Sequence, residues 1–397
     1  MQISSLNSFL LFSRLKGPKK VPFELLQKTP SPASRDPWIE LNLENMSWNL
    51  SQVRKLVNVP VMAVIKANAY GHGLVKIGQH LEKNGIDYLM VGKLQEALLL
   101  RKSGVSAPIL NFGSFCTEEE DEIIQNDISQ SVFTETVLSL SQAALRLGKK
   151  AKIHIHIDTG MGRMGIPYRE ALPFIEKASS LKGLSIEGIS TTLTEDDEFD
   201  REQLHRFLWL CRKAESKGIA LGLKHAASSD GMLDFPSSRL DMVRPGIALY
   251  GYYPSEKTQQ EDRIQLRPVL QFKSRVVSVK VLRPGDSLSY HRKYTAKKQE
   301  KIAIVPVGYS DGYPPNAMNR ASVLIRGKRF PLIAAVTANH CVALLKENSP
   351  ISIGDEVVLL GAQGKERITA DEIARWAEAS PYKILIGLNP LIPRIII

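Results

Sequence analysis

The sequence predicts an α/β fold in which a (β/α)8 TIM-type barrel is followed by a β-rich C-terminal domain, and three observations carry that prediction. From about Pro37 to about Ser255, short apolar runs of β character alternate with longer segments of helical period, roughly eight times over some 220 residues. That count suits a closed barrel better than an open doubly wound sheet, and the G-x-G-x-x-G turn expected after the first strand of a dinucleotide-binding sheet is absent. From about Arg263 the texture changes to β runs broken by Gly, Pro and Asp turns.

In chain order, the first segment is basic: Arg14, Lys16, Lys19 and Lys20 precede the first acid, Glu24, among serines and the short run FLLF. Its apolar core is short and no small-residue cleavage site stands out, so residues 1–36 read as a flexible basic tail rather than a targeting segment. Barrel strands are expected at VPVMAVIK, YLMVG, APILNFG, AKIHIHID, LSIEGIS, IALGLKH and DMVRPGIALYG. Helices between them include GLVKIGQHLEKNG, LQEALLLRKSG, TVLSLSQAALRLGK and FDREQLHRFLWLCRKAESKG, several closing on the glycine favoured after a helix C-terminus. These elements assign residues 37–256 to the barrel. The polar run PSEKTQQEDR is the linker, and residues 257–397 form the second domain, with β runs such as LQFKSRVVSVKVL, EKIAIVPVG and DEVVLLG. One helix, ITADEIARWAEAS, interrupts them, with Thr369, Asp371 and Glu372 placed as its N-terminal cap.

With 397 residues and 43% apolar content the chain can bury a large core, and no apolar run reaches the ~18–20 residues of a membrane span. The net charge of +11 raises the question of nucleic acid. The cations are spread along helical surfaces and mixed with acids, without a basic cluster interleaved with aromatics, so neither nucleic acid nor membrane is expected as a partner. Cys116, Cys211 and Cys341 are odd in number and far apart, with no metal spacing. They read as reduced thiols of a cytoplasmic protein that binds no metal.

A barrel takes its reactive side chains from the C-terminal ends of its strands. Lys66 ends the first strand and is therefore aimed at the mouth. The fifth strand runs into HIDTGMGRMG, which places Arg163 on a glycine-rich loop. The seventh runs into KHAASSDG, offering Ser228 and Ser229 at a turn able to hold an anion, and in MVRPGIALYG Arg244 precedes Gly246 and Ile247, whose N–H groups form a second anion seat. A lysine facing a phosphate site at a barrel mouth suggests a Schiff base with pyridoxal phosphate. Each piece alone has an ordinary reading, a solvated strand end for the lysine and a surface charge for Arg163.

Taken together, VIKANAYGHG, IDTGMGRMG, MVRPGIALYG, LSYHRKYTA and VPVGYSDGYP resemble, in order and approximate spacing, the alanine racemases, fold-type III pyridoxal phosphate enzymes. The resemblance covers about residues 37–397. It implies Lys66 as the lysine that holds pyridoxal 5'-phosphate and one of two catalytic bases. It also implies Tyr70, Ser229, Gly246, Ile247 and Tyr382 around the phosphate, Arg244 at the pyridine nitrogen, and Arg163 on the cofactor's phenolic oxygen and the substrate carboxylate. Tyr290 resembles the second base, which acts in the partner subunit's site, and Ala338 the residue whose N–H meets the substrate carboxylate. The implied protein is a cytoplasmic homodimer with shared sites, interconverting L- and D-alanine and supplying D-alanine for cell-wall peptidoglycan.

Several positions depart from that pattern. The often carbamylated lysine two residues before the aspartate of DTGMGR is His156, which cannot supply an anion to Arg163. The histidine between the catalytic tyrosine and the pyridine arginine is Thr192, and the asparagine before the phosphate serine is Ser228. A leucine at the cofactor-facing strand end is Phe112, and the Met-Asp-Gln loop reads Ala338, Asn339, His340. Asp311 is kept, with an equally good reading as a turn residue. Two readings follow: an alanine racemase with re-tuned electrostatics, or a racemase of another small amino acid such as serine, or a catalytically degenerate cofactor-binding homologue, grouped as the second.

Overall fold

The computed structural model describes residues 36–397, so the basic segment read at 1–36 lies outside the described residues except for Asp36. Seven parallel strands, Met62–Val64, Tyr88–Val91, Ile109–Asn111, Ile128–Val132, Ala151–Asp158, Leu184–Thr191 and Leu223–His225, pair in sequence order. The segment around Val243 closes the ring against Val61: Met62 N donates to Val243 O at 2.8 Å and Val64 N to Pro245 O at 3.0 Å, while Arg244 N reaches Ala227 O at 2.9 Å. With eight segments in the ring, the expected barrel is present. Short strands such as Met62–Val64 and Ile109–Asn111 are buried along their whole length, as parallel strands covered on both faces must be.

The strand Ile128–Val132 is absent from the apolar runs expected above because its centre is polar. Ser129, Gln130 and Ser131 are buried all the same. Gln130 accepts from Asn111 Nδ2 at 2.8 Å and donates to Gly113 O at 2.7 Å, and Ser129 Oγ donates to Glu187 at 2.8 Å. Barrel interiors tolerate such groups when they are paired, as Ser129 and Gln130 are; the Ser131 hydroxyl has no partner among the described residues.

The assignment of residues 37–256 to the barrel needs one correction. Trp38–Leu41 runs antiparallel to Leu270–Arg275 and parallel to Arg394–Ile396, inside the large sheet of the C-terminal half. A strand's propensity does not say which sheet will complete its backbone hydrogen bonds; here the vacant edge of Leu270–Arg275 does. The chain then enters the helix Leu43–Val57, capped by Asn42, whose side chain accepts from Asn45 N, and closed by Asn58 at φ 51°. The helix buries Met46, Asn49, Leu50, Val53 and Val57 along one stripe.

The C-terminal sheet continues from Leu270–Arg275 through Glu356–Gln363, Ser322–Ile325, Lys328–Ile333, Cys341–Leu345 and Glu300–Val305 to Ser278–Leu282, all antiparallel. The expected helix forms over Ala370–Ala377, with Thr369 Oγ1 accepting from Glu372 N. A further short helix, Pro381–Ile386, brings this half against the barrel mouth. Gly71 is left-handed at φ +81°, and a Cβ there would collide with Leu385 O. Arg394 fixes the junction, its Nη2 donating to Gly71 O at 2.9 Å. No helix among the described residues is long and apolar enough to cross a membrane.

Candidate functional site

A cavity of about 810 Å³ opens at the C-terminal end of the barrel. Its wall brings together Lys66, Tyr70, Arg163, Ser229, Arg244, Gly246, Ile247 and Tyr382, eight residues scattered over the sequence. Tyr290 and Ala338 lie outside it.

Lys66 begins an unusual turn. Ala67, Asn68, Ala69 and Tyr70 all have φ between 50° and 55°, a left-handed helical turn that L residues avoid. Strain of this kind persists where surrounding bonds over-determine it. Asn68 N donates to Glu96 Oε1 at 3.0 Å and Asn68 Oδ1 accepts from Leu74 N at 2.8 Å. Gly73 N closes onto Asn68 O at 2.9 Å. Ala67 and Ala69 keep side-chain bulk out of this turn, although each still carries the Cβ that the left-handed region penalises. Burial, then Arg163, then Arg244 push the Lys66 amine below its ordinary range, with Glu96 opposing.

At one end of the cavity, Ser229 Oγ accepts from Gly246 N at 2.9 Å and from Ala248 N at 3.3 Å. Gly246 lets the Tyr70 hydroxyl approach, since a Cβ there would stand 2.8 Å from Tyr70 Oη. The Tyr70 ring packs 5.0 Å from Tyr250 and 5.8 Å from Tyr382. Ser228 accepts from Asp230 N at 3.2 Å and caps the helix Ser229–Asp234, the work an asparagine would do there.

The barrel floor carries one cation among neutral rings. Arg244 is 5% exposed and donates to His225 Nδ1 at 2.9 Å, His225 O at 2.8 Å, Thr191 O at 2.8 Å and Ala226 O at 3.1 Å. Burial lowers its pKa to about 10, which leaves it charged at neutral pH. Because the guanidinium can only donate, His225 Nδ1 is an acceptor and Nε2–H donates to His154 Nδ1 at 2.9 Å. His156 meets Ser190 Oγ at 3.0 Å and sets its edge 4.7 Å from the Phe112 ring. Burial and the Arg244 charge bring His154 and His156 down to about 3, so both are neutral.

Arg163 sits on an exposed loop organised by Asp158, whose carboxylate accepts from Gly160 N at 2.8 Å and Gly162 N at 3.0 Å. Thr192 lines the cavity and its carbonyl accepts from Gln203 Nε2 at 3.1 Å. Two further residues escaped sequence reasoning: Glu96, which is bonded to the turn after Lys66, and Glu195, on the cavity wall. Glu96 holds Asn68 N and also Gly92 N, at 3.2 Å, and no spacing in the sequence reveals it. Glu195 lies at φ 64° in the loop after Thr194, and burial followed by Asp200 raises its carboxyl.

Away from the cavity, Tyr290 is 77% exposed in a turn where Ser289, His291 and Arg292 all have positive φ. Ala338 lies beside a second exposed aromatic, Tyr309: Ser310 N donates to Ala338 O at 3.0 Å, and Asn339 Nδ2 donates to Ser310 Oγ at 2.9 Å. Asp311 serves its turn, accepting from Gly308 N at 2.9 Å.

Residues 41–254 match the family model of the alanine racemase N-terminal domain, and residues 269–396 that of the alanine racemase C-terminal domain. Alanine racemase 2 of Caldanaerobacter subterraneus subsp. tengcongensis is 39% identical over 367 residues, which span 90% of this chain and 94% of that protein. The solved alanine racemase of Clostridium difficile 630 superposes with a TM-score of 0.87 at 34% identity, covering 93% of this chain and 97% of that one. The Bacillus anthracis alanine racemase with bound L-Ala-P gives 0.85 at 31% identity, over 92% and 96% of the two chains. With both domain models matched in order and relatives aligned over nearly their full length, the chain belongs to the alanine racemase family of amino-acid isomerases.

Proposed function

We propose that the protein interconverts L- and D-alanine with pyridoxal 5'-phosphate, using Lys66 of one subunit and Tyr290 of the partner subunit as opposed bases. The reading carries with it a cytoplasmic homodimer that supplies D-alanine for peptidoglycan, and a division into a barrel that binds the cofactor and a C-terminal half that lends Tyr290 to its partner. The observation that carries it is the convergence of Lys66, Tyr70, Arg163, Ser229, Arg244 and Tyr382 on one cavity while Tyr290 stands exposed outside it.

The residues fit the cofactor. Gly246 leaves room for Tyr70 Oη beside Ser229, a donor-lined seat for a phosphate that a single methyl would fill. When bound, pyridoxal phosphate acidifies the Cα–H of an amino acid joined to it. Lys66, with its amine depressed by burial and two arginines, takes or returns that proton on one face at moderate pH. Tyr290 of the partner subunit does so on the other face, which is what inversion requires. Arg163 and the N–H of Ala338 of the partner subunit orient the substrate carboxylate, and Ile247 adds its N–H to the phosphate seat. Arg244, unable to accept a proton, would hold the pyridine end of the cofactor and leave its ring nitrogen unprotonated. Side reactions that need a stronger electron sink are thereby disfavoured.

The test is Cα–H exchange of L-alanine, with L-serine beside it, in deuterated water with pyridoxal phosphate present. Deuterium incorporation with formation of D-alanine is the expected result. Faster inversion of serine would reassign the substrate, and cofactor binding without exchange at Cα would refute a racemase.

A further inference from the structure

A second cavity, about 430 Å³, lies where the barrel hands over to the C-terminal sheet, and it shares no wall residue with the first. Tyr252 lines it, is 4% exposed, and has a hydroxyl with no hydrogen-bond partner among the described residues. A buried hydroxyl left unpaired forfeits its hydration without return, so a ligand atom that pairs it is favoured. Gln271 lies on the same wall; its Oε1 accepts from Ala362 N at 3.2 Å, so the amide nitrogen remains as a donor. Arg267 and Arg367 add two guanidiniums, the first stacked 3.7 Å above the Trp48 ring.

Asn45, whose amide nitrogen is spent on Pro268 O, and Thr369, whose Oγ1 accepts from Glu372 N, complete the polar lining, so donors with two guanidinium charges dominate it, and no carboxylate lines the wall. The acids on neighbouring strands are committed elsewhere: Glu366 and Glu372 to Arg329 at 2.8 and 2.7 Å, Glu40 and Glu356 to Lys273 at 2.8 and 3.5 Å. Asp371, on the first turn of the next helix, acts on Tyr252 by its charge but is outside the wall. Leu266, Leu270, Leu360 and Ile368 supply the apolar remainder. A cavity in the ~300–1,000 Å³ range with apolar walls and a few converging polar groups is the usual form of a small-molecule site.

We infer that this junction cavity binds a small anion with an apolar body, a phosphate monoester or a carboxylate, its head group held by Arg267, Arg367, Gln271 and the Tyr252 hydroxyl. The probes are phenyl phosphate and benzoate, with benzyl alcohol as the neutral comparison. Each is titrated by ligand-detected NMR against the full chain saturated with pyridoxal phosphate, so that the barrel cavity is occupied. At least one anion should saturate a single site per chain, and which of the two binds tighter identifies the head group. Arg367→Ala should weaken it about tenfold or more, the worth of one charge-assisted hydrogen bond. Tyr252→Phe should weaken it severalfold without changing the thermal midpoint by more than a few degrees. Saturation absent below ~10 mM, equal affinity for benzyl alcohol, or binding untouched by both Arg267→Ala and Arg367→Ala would overturn the inference. So would binding that instead disappears in Ser229→Ala, because that reports the barrel cavity.

Discussion

Replacing Gly246 by alanine tests the phosphate seat at a single atom. The new Cβ would stand 2.8 Å from Tyr70 Oη, 3.2 Å from Tyr70 Cζ and 3.5 Å from Val64 Cβ. The first contact is roughly 0.6 Å inside ordinary van der Waals range. Gly246 has φ −112°, so alanine meets no left-handed penalty; its ψ of −88° lies at the margin of the helical region, and the steric conflict is with Tyr70. The ring has little room to retreat: it is 5% exposed and backed by Tyr250 and Tyr382. Overpacking of this kind costs about 1–3 kcal/mol. If the displaced hydroxyl is a phosphate ligand, that cost appears as a loss of about 5- to 150-fold in cofactor affinity. Affinity is read by titrating the apo-protein with pyridoxal phosphate and following tryptophan fluorescence, and a melt without cofactor reports the fold. Adding Tyr70→Phe removes the tightest contact, so the double variant should lose less than the two single losses combined. Wild-type affinity in Gly246→Ala, or strict additivity in the double variant, would refute the placement of the phosphate beside Tyr70.

Other consequences are open to direct measurement. Lys66→Ala should abolish the visible absorbance that pyridoxal phosphate acquires on the protein, and an unchanged spectrum would remove Lys66 from the site. Tyr290→Phe should keep that absorbance while slowing reaction from one alanine enantiomer more than from the other; wild-type rates in both directions would exclude it as a base. Gly188→Ala would push a Cβ against the His154 ring and to 2.8 Å from Leu223 O. A loss of about 3 kcal/mol or more in urea unfolding is expected, and a loss under 1 kcal/mol would mean that the barrel floor repacks freely. Asp230 is raised to about 6 by burial, then by Glu195, Asp234 and Asp200, with Lys257 opposing. The folded chain therefore keeps a proton that the unfolded chain has released, and stability falls as pH rises from about 4 through about 6. Asp230→Asn should flatten that decline and gain about 1 kcal/mol at pH 7–8 after allowance for solvent screening; an unchanged pH profile would contradict the assignment.

The barrel was legible because its strand ends fall at regular intervals, and that regularity alone aims Lys66, Arg163 and Arg244 at one mouth. What escaped depended on long-range pairing. Ile128–Val132 looks like a polar loop until Asn111 and Glu187 are beside it to satisfy Gln130 and Ser129. Trp38–Leu41 looks like a barrel strand because only its partner, more than 200 residues away, places it in the other sheet. The left-handed turn after Lys66 left a trace in its two alanines and in the glycines at 71 and 73, but the carboxylate that steadies it, Glu96, comes from a helix with no distinguishing pattern. Tyr290 and Ala338 were found through resemblance alone. Within one chain both lie outside the cavity.

The departures from the family pattern bear on the charge of the site more than on its shape. Where the resemblance leads one to expect a carbamylated lysine, His156 is neutral, held by Ser190 and packed on Phe112. His154 and His225 are neutral too, and the tautomer imposed by Arg244 runs through both, ending on a His154 Nε2 that has no partner among the described residues. Arg244 is therefore surrounded by carbonyls and neutral imidazoles, with no carboxylate among its bonded partners. At Lys66 burial, then Arg163, then Arg244 disfavour the ammonium, with Glu96 opposing. Loss of a compensating anion is usually read as damage to the arginine it would have held. Here the neutral residues in its place leave Lys66 beside two cations, which on the proposed mechanism favours the amine form that accepts a proton. On the proposed mechanism the cost would fall on the other face of the substrate, where Thr192 would offer Tyr290 of the partner subunit no imidazole. Restoring Thr192→His should therefore raise the rate in the direction that begins with the tyrosine while leaving cofactor affinity unchanged, and equal gains in both directions would show that the two faces are not tuned separately.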